Sequence, residues 1–432
     1  MRLKPFKKEK RSKKYKITMI ILSSLCFIFL FIAIYQSFAA YNIKHSERIV
    51  DAKVGSMYDI RALAIFIDGE PQPNMTDFPT DKDFDKVECS VNGEPVDIDA
   101  VWENDSLTLS GFTHKTNCNV YFLSQPILLR DAILTAHGGI ATITTKARPN
   151  FNTISTTTEG ANGGMFAEPD GMMGGTSYYF RGTHDLNNNV LFAGHQWKII
   201  RIDGAGNIRM IYNGTEARFN ELGTVNGNRA GGNSFLASGP VAFNPQFNVS
   251  SSVNYNTSTI KGRVDTFYDS LSQSAKNKIA TTAYCNDRTS YCDEGGNNPG
   301  CGTTTHTWYG AFIRLITNKN PTFACPTVSR INLGAALITA DEIAFGGGRT
   351  ETSNSFHYLT SEGSYYTMSP WYFTSVAGAA AMFFMSGNGV LGISNVENNW
   401  LMVRPVISLN PNALIPGANG GNGSATNPYR VQ

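Results

Sequence analysis

A long uncharged apolar run near the start of the chain constrains its fold and its location more than any other feature. No charged residue occurs between Ile17 and Ile43. As a helix, residues 17–39 would extend roughly 35 Å at about 1.5 Å per residue, enough to cross a bilayer core. A buried helix of a globular domain would show a polar stripe, which this run lacks. We therefore predict a transmembrane helix at residues 17–39.

The segment before this run, residues 1–16, carries nine Lys/Arg and one Glu. Positive charge of this kind stays in the cytoplasm, so the rest of the chain is predicted to be outside the cell. The alternative is a signal peptide cleaved within residues 37–40, which exports the same part of the chain. We expect a single-pass protein of the cell membrane, attached through its N-terminal helix, with an extracellular C-terminal ectodomain.

The remainder of the chain is not basic. Of the 36 basic and 34 acidic residues in the sequence, 27 and 33 lie after the N-terminal tail. The slight positive charge of the whole chain is therefore an effect of the tail, and it gives no support for nucleic-acid binding by the folded part. No nucleic-acid partner is predicted.

Six cysteines follow the apolar run, which itself contains Cys26. They are Cys89, Cys118, Cys285, Cys292, Cys301 and Cys325. No C-x-x-C pair of the kind used in zinc sites is present, and exported thiols oxidise, so we predict disulfides. Proximity favours pairing of Cys89 with Cys118. For the other four, the combinations 285–325 with 292–301 and 285–292 with 301–325 both stay open.

The ectodomain divides by composition into two folded parts. Residues 57–122 contain short alternating strand patterns separated by D-G, N-G and S-G turns, typical of a small β module. Residues 123–175 are predicted to be a linker, because their later part is rich in Thr, Asn, Gly and Pro. Residues 176–432 form a larger domain, with a hairpin at D-G-A-G-N and a helix over 259–282 indicated by apolar spacing.

Several motifs of the larger domain occur together in a familiar order. They are W-K-I-I-R-I, Y-C-N-D-R, L-I-T-A-D-E-I-A-F-G-G, S-P-W-Y-F, V-R-P-V-I-S-L-N and G-S-A-T-N-P-Y-R-V. This order resembles Gram-positive bacterial membrane-anchored surface proteins of unknown function with a C-type-lectin-like, sulfatase-modifying-like C-terminal domain. The predicted fold class is α+β: an N-terminal transmembrane helix, a small β-sandwich-like module and a C-type-lectin-like domain.

The resemblance also implies that the first and last strands of the larger domain pair, placing Ser177–Arg181 near Pro428–Val431. The sulfatase-modifying branch uses cysteines late in its domain, but no cysteine follows Cys325. The calcium-dependent sugar readers use a Glu-Pro-Asn loop, which is also absent. Neither activity is therefore carried over to this chain.

Aromatic residues near position 370 are the predicted ligand-binding site. Flat rings with polar tips suit partly wet binding surfaces and can stack on sugar rings. The alternative is that Trp371 and Phe373 fill the core. The predicted binding residues are Tyr365, Tyr366, Trp371 and Tyr372.

No set of residues in the sequence indicates catalysis, and no catalytic residue is predicted. Adjacent Asp341 and Glu342 point in different directions on a helix, which favours capping or salt bridges over an acid/base pair. Asp287 and Arg288 are predicted to form a structural ion pair.

The cysteine loop contains Asp293, Glu294, Asn297 and Asn298, whose oxygens suit Ca²⁺. It lacks the spaced acidic array of a calcium loop, so no metal or other cofactor is predicted, with Ca²⁺ as the alternative.

These features favour a surface-displayed binding or adhesion protein that recognises a glycan or a protein outside the cell. A structural surface or filament subunit, motivated by the long apolar N-terminal helix, is one alternative. An extracellular hydrolase is the other.

Overall fold

The computed structural model describes most of the chain after Asp59. The described residues are 60–75, 77–111, 116–214, 255–291, 306–361, 363–374, 379–396, 401–417 and 419–432. The chain divides between Gln125 and Pro126 into two compact units.

The first unit is a β structure. Its described strands are β1 (Ile60–Ile67), β2 (Glu70–Pro71), β3 (Lys82–Val91), β4 (Glu94–Val96), β5 (Asp99–Glu103), β6 (Ser106–Ser110) and β7 (Thr116–Ser124). Five of them form a sheet in the order β2-β1-β7-β3-β4, in which only β1 and β7 are parallel. The remaining two, β5 and β6, form a separate hairpin.

Strict alternation along β7 builds the core of this unit. Cys118, Val120 and Phe122 face inward and pack in one cluster with Leu107 and Leu109 of the hairpin. The hairpin therefore covers one face of the sheet. A period of two residues places every second side chain of a strand on the same face, which is why this short sequence suffices for a core.

A disulfide links the two central strands of the first unit. Cys89 on β3 lies directly opposite Cys118 on β7, and the two are bonded. This is the pairing that proximity favours in the sequence.

The second unit is larger and also rich in strands. Its elements are β8 (Ile127–Leu128), α1 (Leu129–Ala136), α2 (Gly139–Thr145), β9 (Gly164–Pro169), β10 (Thr176–Arg181), β11 (Asn189–Phe192), β12 (His195–Ile202), β13 (Ile208–Tyr212), α3 (Thr259–Ser270), α4 (Gln273–Lys276), β14 (Thr282–Cys285), β15 (Ser290–Tyr291), β16 (His306–Tyr309), α5 (Gly310–Phe312) with a following π-helical turn (Ile313–Thr317), β17 (Arg330–Leu333), β18 (Ala335–Ala336), α6 (Ala340–Phe345), β19 (Tyr365–Thr374), β20 (Ala379–Met385), β21 (Leu391–Asn395), β22 (Val406–Leu409), β23 (Leu414–Ile415) and β24 (Tyr429–Arg430).

Two sheets organise these elements. The larger has the order β18-β22-β13-β12-β10-β9, with β11 pairing with β12 and with β24. The smaller has the order β15-β16-β19-β20-β21. Two-stranded ladders join β14 to β17 and β8 to β23.

The predicted hairpin is present as β12 and β13, and these strands lie at the centre of the core. The helix predicted over 259–282 is shorter than expected. Leu271 is extended, with ψ 146°, and Ser272 caps a separate turn by accepting a hydrogen bond from the Ala275 N–H. Ser is a favoured N-cap residue because its hydroxyl satisfies a free backbone N–H. The first helix therefore ends at Ser270, and a separate short helix, α4, follows it.

The structure differs from the linker predicted for residues 123–175. Most of this stretch belongs to the second unit. Leu129, Ile133 and Ile143 of α1 and α2 are fully buried in its core, and β9 pairs with β10 along its whole length. Composition alone suggested a loop, because the Thr, Asn, Gly and Pro residues outnumber the few buried apolar residues that anchor this stretch.

The α+β fold class is wrong. Strands account for 40% of the described residues and helices for 18%, so the structure is mostly β. The expected pairing of Ser177–Arg181 with Pro428–Val431 is not formed either, because β9 and β12 occupy both edges of β10. The C-terminal strand β24 pairs instead with β11.

The predicted N-terminal transmembrane helix at 17–39 and the tail at 1–16 lie outside the described residues. Among the helices that the structure does describe, none has the length and apolar character needed to span a bilayer.

A second disulfide, Cys285–Cys325, joins the end of β14 to the segment before β17. Cys292 and Cys301 lie outside the described residues. Disulfides persist in oxidising surroundings, so the two bonds indicate an extracellular environment for the folded part of the chain.

Loss of the first disulfide should destabilise the first unit. The bond closes a stretch with a sequence separation of 29, for which the chain-entropy effect is about 3–4 kcal/mol. The double variant Cys89→Ser/Cys118→Ser should therefore lower by about that amount the opening free energy of the β3 and β7 amides, measured by hydrogen exchange. The variant Cys285→Ser/Cys325→Ser is the matched control and should leave these amides unchanged. Equal protection in both variants would contradict the prediction.

Candidate functional site

Four aromatic rings from two neighbouring strands and a short helix meet on the smaller sheet of the second unit. Trp308 on β16 lies opposite Tyr372 on β19, with ring centroids 5.7 Å apart. Phe312 of α5 stacks on Trp308 at 4.1 Å, and its ring meets that of Trp371 at 5.1 Å. These four rings, Trp308, Phe312, Trp371 and Tyr372, are called the aromatic cluster below. All four side chains are half-buried, so each keeps part of its surface in solvent.

A break in the register of β19 shapes the cluster. The pairing with β20 shifts on both sides of Pro370, which cannot donate a backbone hydrogen bond. Beyond this irregularity Trp371 packs on the fully buried Phe383, with centroids 4.8 Å apart. The core therefore supports one side of the cluster and holds its rings in place.

The Trp308 indole is unusual within the cluster. Its Nε1 is buried, and no acceptor among the described residues takes its hydrogen. An indole N–H can only donate, and a buried donor left unpaired costs about 1–3 kcal/mol. An acceptor oxygen from a ligand or from water would relieve this cost.

Only half of the predicted binding residues belong to this cluster. Trp371 and Tyr372 do, but Tyr365 and Tyr366 are fully buried. Their hydroxyls donate to the Leu359 and Asn395 carbonyls at 2.8 and 2.7 Å, so both act as satisfied core residues. Phe373, the neighbour of Tyr372, is also buried.

Sequence reasoning missed Trp308 and Phe312, which lie about 60 residues before the other two rings. The available signal was the run T-W-Y-G-A-F, which contains three aromatic residues. Nothing in the sequence shows that β16 pairs with β19, and that pairing brings Trp308 and the adjoining α5 residue Phe312 to Trp371 and Tyr372.

A second candidate site is a cluster of buried charges between the larger sheet and α6. Arg201 of β12 binds Asp170 at 2.7 Å and Glu342 at 3.2 Å, and Arg209 of β13 binds the same Glu342 oxygen at 3.0 Å. All four side chains are buried. These four residues, Asp170, Arg201, Arg209 and Glu342, are called the buried ion network below.

Backbone and hydroxyl groups complete the network. The Glu342 carboxylate also accepts from the Thr339 N–H and hydroxyl in a capping box at the start of α6. Asp170 accepts from the N–H groups of Met172, Met173 and Gly204. Each carboxylate therefore has both oxygens occupied, as buried charges require.

The network keeps its carboxylates ionised. Burial alone would raise the pKa of Glu342, but Arg209, Arg201 and the Thr339 N–H together hold it below its ordinary value. Burial would also raise the pKa of Asp170. Arg201 and the backbone N–H groups outweigh this effect and hold the pKa of this carboxyl below its ordinary value. Neither group is poised to transfer a proton near neutral pH.

Arg314 forms an adjoining pair of ion bridges. It binds Asp341 through Nε and Nη2, both at 2.9 Å, and Asp287 through Nη1 at 2.6 Å. The predicted structural role of Asp341 and Glu342 is thus confirmed. The partner predicted for Asp287 is wrong, because Arg288 donates instead toward the Val328 carbonyl at 3.5 Å.

The charged groups enclose very little space. The cavity that they line with Cys285 and Phe323 has a volume of about 20 Å³, room for about one water molecule. A substrate could not enter it. The described residues also contain no group of three or more His, Cys, Asp or Glu side chains arranged to hold a metal. The acidic loop considered for Ca²⁺, residues 293–298, lies outside the described residues.

Comparison with known proteins identifies no relative of this chain. No family model matches the chain, and neither a curated protein nor a solved structure matches it. The aromatic cluster and the buried ion network must therefore be interpreted from their own chemistry.

Removing one charge of the network should be far more costly than removing an exposed charge. Glu342→Gln leaves Arg201 and Arg209 without their shared carboxylate, for which we expect a loss of about 3–5 kcal/mol in unfolding free energy. Asp269→Asn, at a carboxylate 76% exposed and 3.8 Å from Lys276, is the control and should cost less than about 0.5 kcal/mol. Denaturant titration measures both, and comparable losses would contradict the structural role of the network.

The network also predicts how stability depends on pH. Because the folded-state pKa values of Asp170 and Glu342 lie below the ordinary 3.8 and 4.5, their contribution is complete above about pH 5. It is lost as pH falls through the folded values. We expect the denaturant concentration at the unfolding midpoint of the wild type to decrease when the pH is lowered below about 4.5. For Glu342→Gln this decrease should be less steep. Parallel pH profiles for the two proteins would be inconsistent with this assignment.

Proposed function

We propose that the chain is an extracellular binding protein that recognises a carbohydrate through the aromatic cluster. The observation that carries the proposal is the half-buried group of four rings, with one indole N–H for which the described residues provide no acceptor. Sugar rings present an apolar face that stacks on aromatic rings and hydroxyl oxygens that accept hydrogen bonds. A glycan therefore satisfies both properties of the site.

The rigidity of the surroundings supports the same proposal. Trp371 is held from below by Phe383, and Trp308 and Tyr372 lie on neighbouring strands of one sheet. Rings that are fixed before binding lose little conformational entropy when a ligand stacks on them. Display at the cell membrane stays a prediction from the sequence of residues 17–39.

Hydrolysis is less well supported by the described residues. In the buried ion network every carboxylate is paired, and the cavity beside it is the size of a water molecule. A hydrolase needs an acid and a base that reach a substrate.

The proposal is tested by binding to an array of bacterial and host polysaccharides, followed by titration of the glycans retained. Trp371→Ala should weaken binding by about 2 kcal/mol, roughly thirtyfold in Kd, as truncation of an aromatic anchor does. Trp308→Phe keeps the ring but removes the N–H, and should cost up to about tenfold. Phe356→Ala changes an exposed ring outside the cluster and should leave Kd unchanged.

Two outcomes would contradict the proposal. One is the absence of saturable binding to any glycan on the array. The other is saturable binding that Trp371→Ala and Trp308→Phe leave unchanged while circular dichroism shows both variants to be folded. Binding of a protein ligand that depends on Trp371 would retain the site but replace the ligand class.

A further inference from the structure

Lys198, in the middle of β12, is buried without an acidic partner. Its side chain is 1% exposed, and Nζ donates to the His184 carbonyl at 3.2 Å and toward the Asn188 Oδ1 at 3.4 Å. No described carboxylate forms an ion pair with it. Lysine is almost never fully buried unless it is paired, because an ammonium in a low-dielectric interior is costly. This position therefore requires an explanation.

The environment favours the neutral amine. Burial, assisted by the Arg404 cation, lowers the pKa of Lys198 to about 7, against the opposite effect of Asp185. A substantial fraction of the side chain is then uncharged at neutral pH. A neutral lysine amine is a nucleophile.

The Asn188 carboxamide is held against this amine. Asn188 is fully buried at the start of the β11–β12 hairpin, next to Asn189, which lies directly opposite Lys198. Its Nδ2 donates to the Ile199 carbonyl at 3.0 Å, and its backbone carbonyl accepts from the Ile199 N–H at 2.8 Å. The Nδ2 bond orients the carboxamide with its oxygen toward Nζ. The fold therefore holds Nζ 3.4 Å from the oxygen of this carboxamide, so the two groups need no bimolecular encounter to meet.

We infer that Lys198 and Asn188 join in an intramolecular isopeptide bond. The neutral Nζ attacks Cγ of Asn188, and a new C–N bond forms. The Cγ–Nδ2 bond then breaks, and the proton lost by Nζ goes to Nδ2, which leaves as ammonia. The reaction is an amide exchange with no oxidant, reductant or added reagent.

The product resolves the unusual burial. The new amide carries no charge, and its single N–H has an acceptor in the His184 carbonyl, which already faces Nζ. A buried amide whose N–H has a hydrogen-bond acceptor is common in protein interiors. The bond would also link β12 to the residue before β11, the strand that pairs with the C-terminal strand β24.

Mass spectrometry tests the inference directly, because trypsin places both residues in one region. Without the bond, trypsin cleaves after Arg181 and after Lys198, giving the peptide 182–198. With the bond, Lys198 is blocked, and the peptide 182–201 appears with a mass about 17 Da below that of its sequence, the mass of ammonia. Fragmentation should yield no backbone fragment ions from between positions 188 and 198.

Three variants distinguish this bond from other losses of ammonia. Lys198→Met should restore the full mass, whereas a cyclised asparagine would retain the deficit. Asn188→Asp should lose water instead and give the same cross-linked product, and Asn187→Asp, at an exposed neighbour, should keep the 17 Da deficit. Complete cleavage after Lys198 in the wild type, or a deficit that persists in Lys198→Met, would overturn the inference.

Discussion

The second unit depends on two buried carboxylates and two arginines, which Arg201 joins into one network. Glu342 accepts from Arg201 and Arg209 on adjacent strands of the larger sheet, and Asp170 accepts from Arg201 and from the turn between β9 and β10. One network therefore fixes α6, the strands β12 and β13, and the turn after β9 relative to one another. A buried ion pair adds little net stability, but an incomplete one is severely destabilising. Any alternative packing that separates these four side chains would carry the free-energy cost of unpaired buried charges.

The buried ion network has a structural role, and the proposed binding site is a different set of residues, the aromatic cluster. The charged groups most easily mistaken for an active site are closed off around a space of about 20 Å³, and their hydrogen bonds are complete. The aromatic cluster differs from the network, because its rings keep contact with solvent and the Trp308 N–H has no acceptor among the described residues. A rigid β scaffold with a partly wet aromatic surface is in keeping with the binding function proposed above.

Sequence patterns predicted local features well and long-range ones poorly. The Cys89–Cys118 pairing, the β12–β13 hairpin and the capping role of Glu342 depend on residues close in the sequence, and all three are present. The position of Tyr365 could not be predicted in the same way. Its burial depends on Leu359, Arg404 and the neighbouring strands, which no local pattern reveals.

The remaining errors have the same origin. Residues 123–175 have the composition of a linker, yet a few apolar positions such as Ile133 and Ile143 bury them in the core. The C-terminal strand can pair only with a strand that has an unpaired edge. Both edges of β10 are already paired, with β9 and β12. Propensity and composition do not contain this information, because it arises from competition between strands for edges.

Hydrogen exchange at the amides that donate to the network is the most direct test of its central role. The Thr339 N–H donates to Glu342, and the Met173 and Gly204 N–H groups donate to Asp170. If the network holds the unit together, these amides in loops and at a helix start should exchange only with global unfolding, at the same free energy as the central amides of β12 and β13. Exchange of these three amides through low-energy local openings, while β12 and β13 stay protected, would contradict the account.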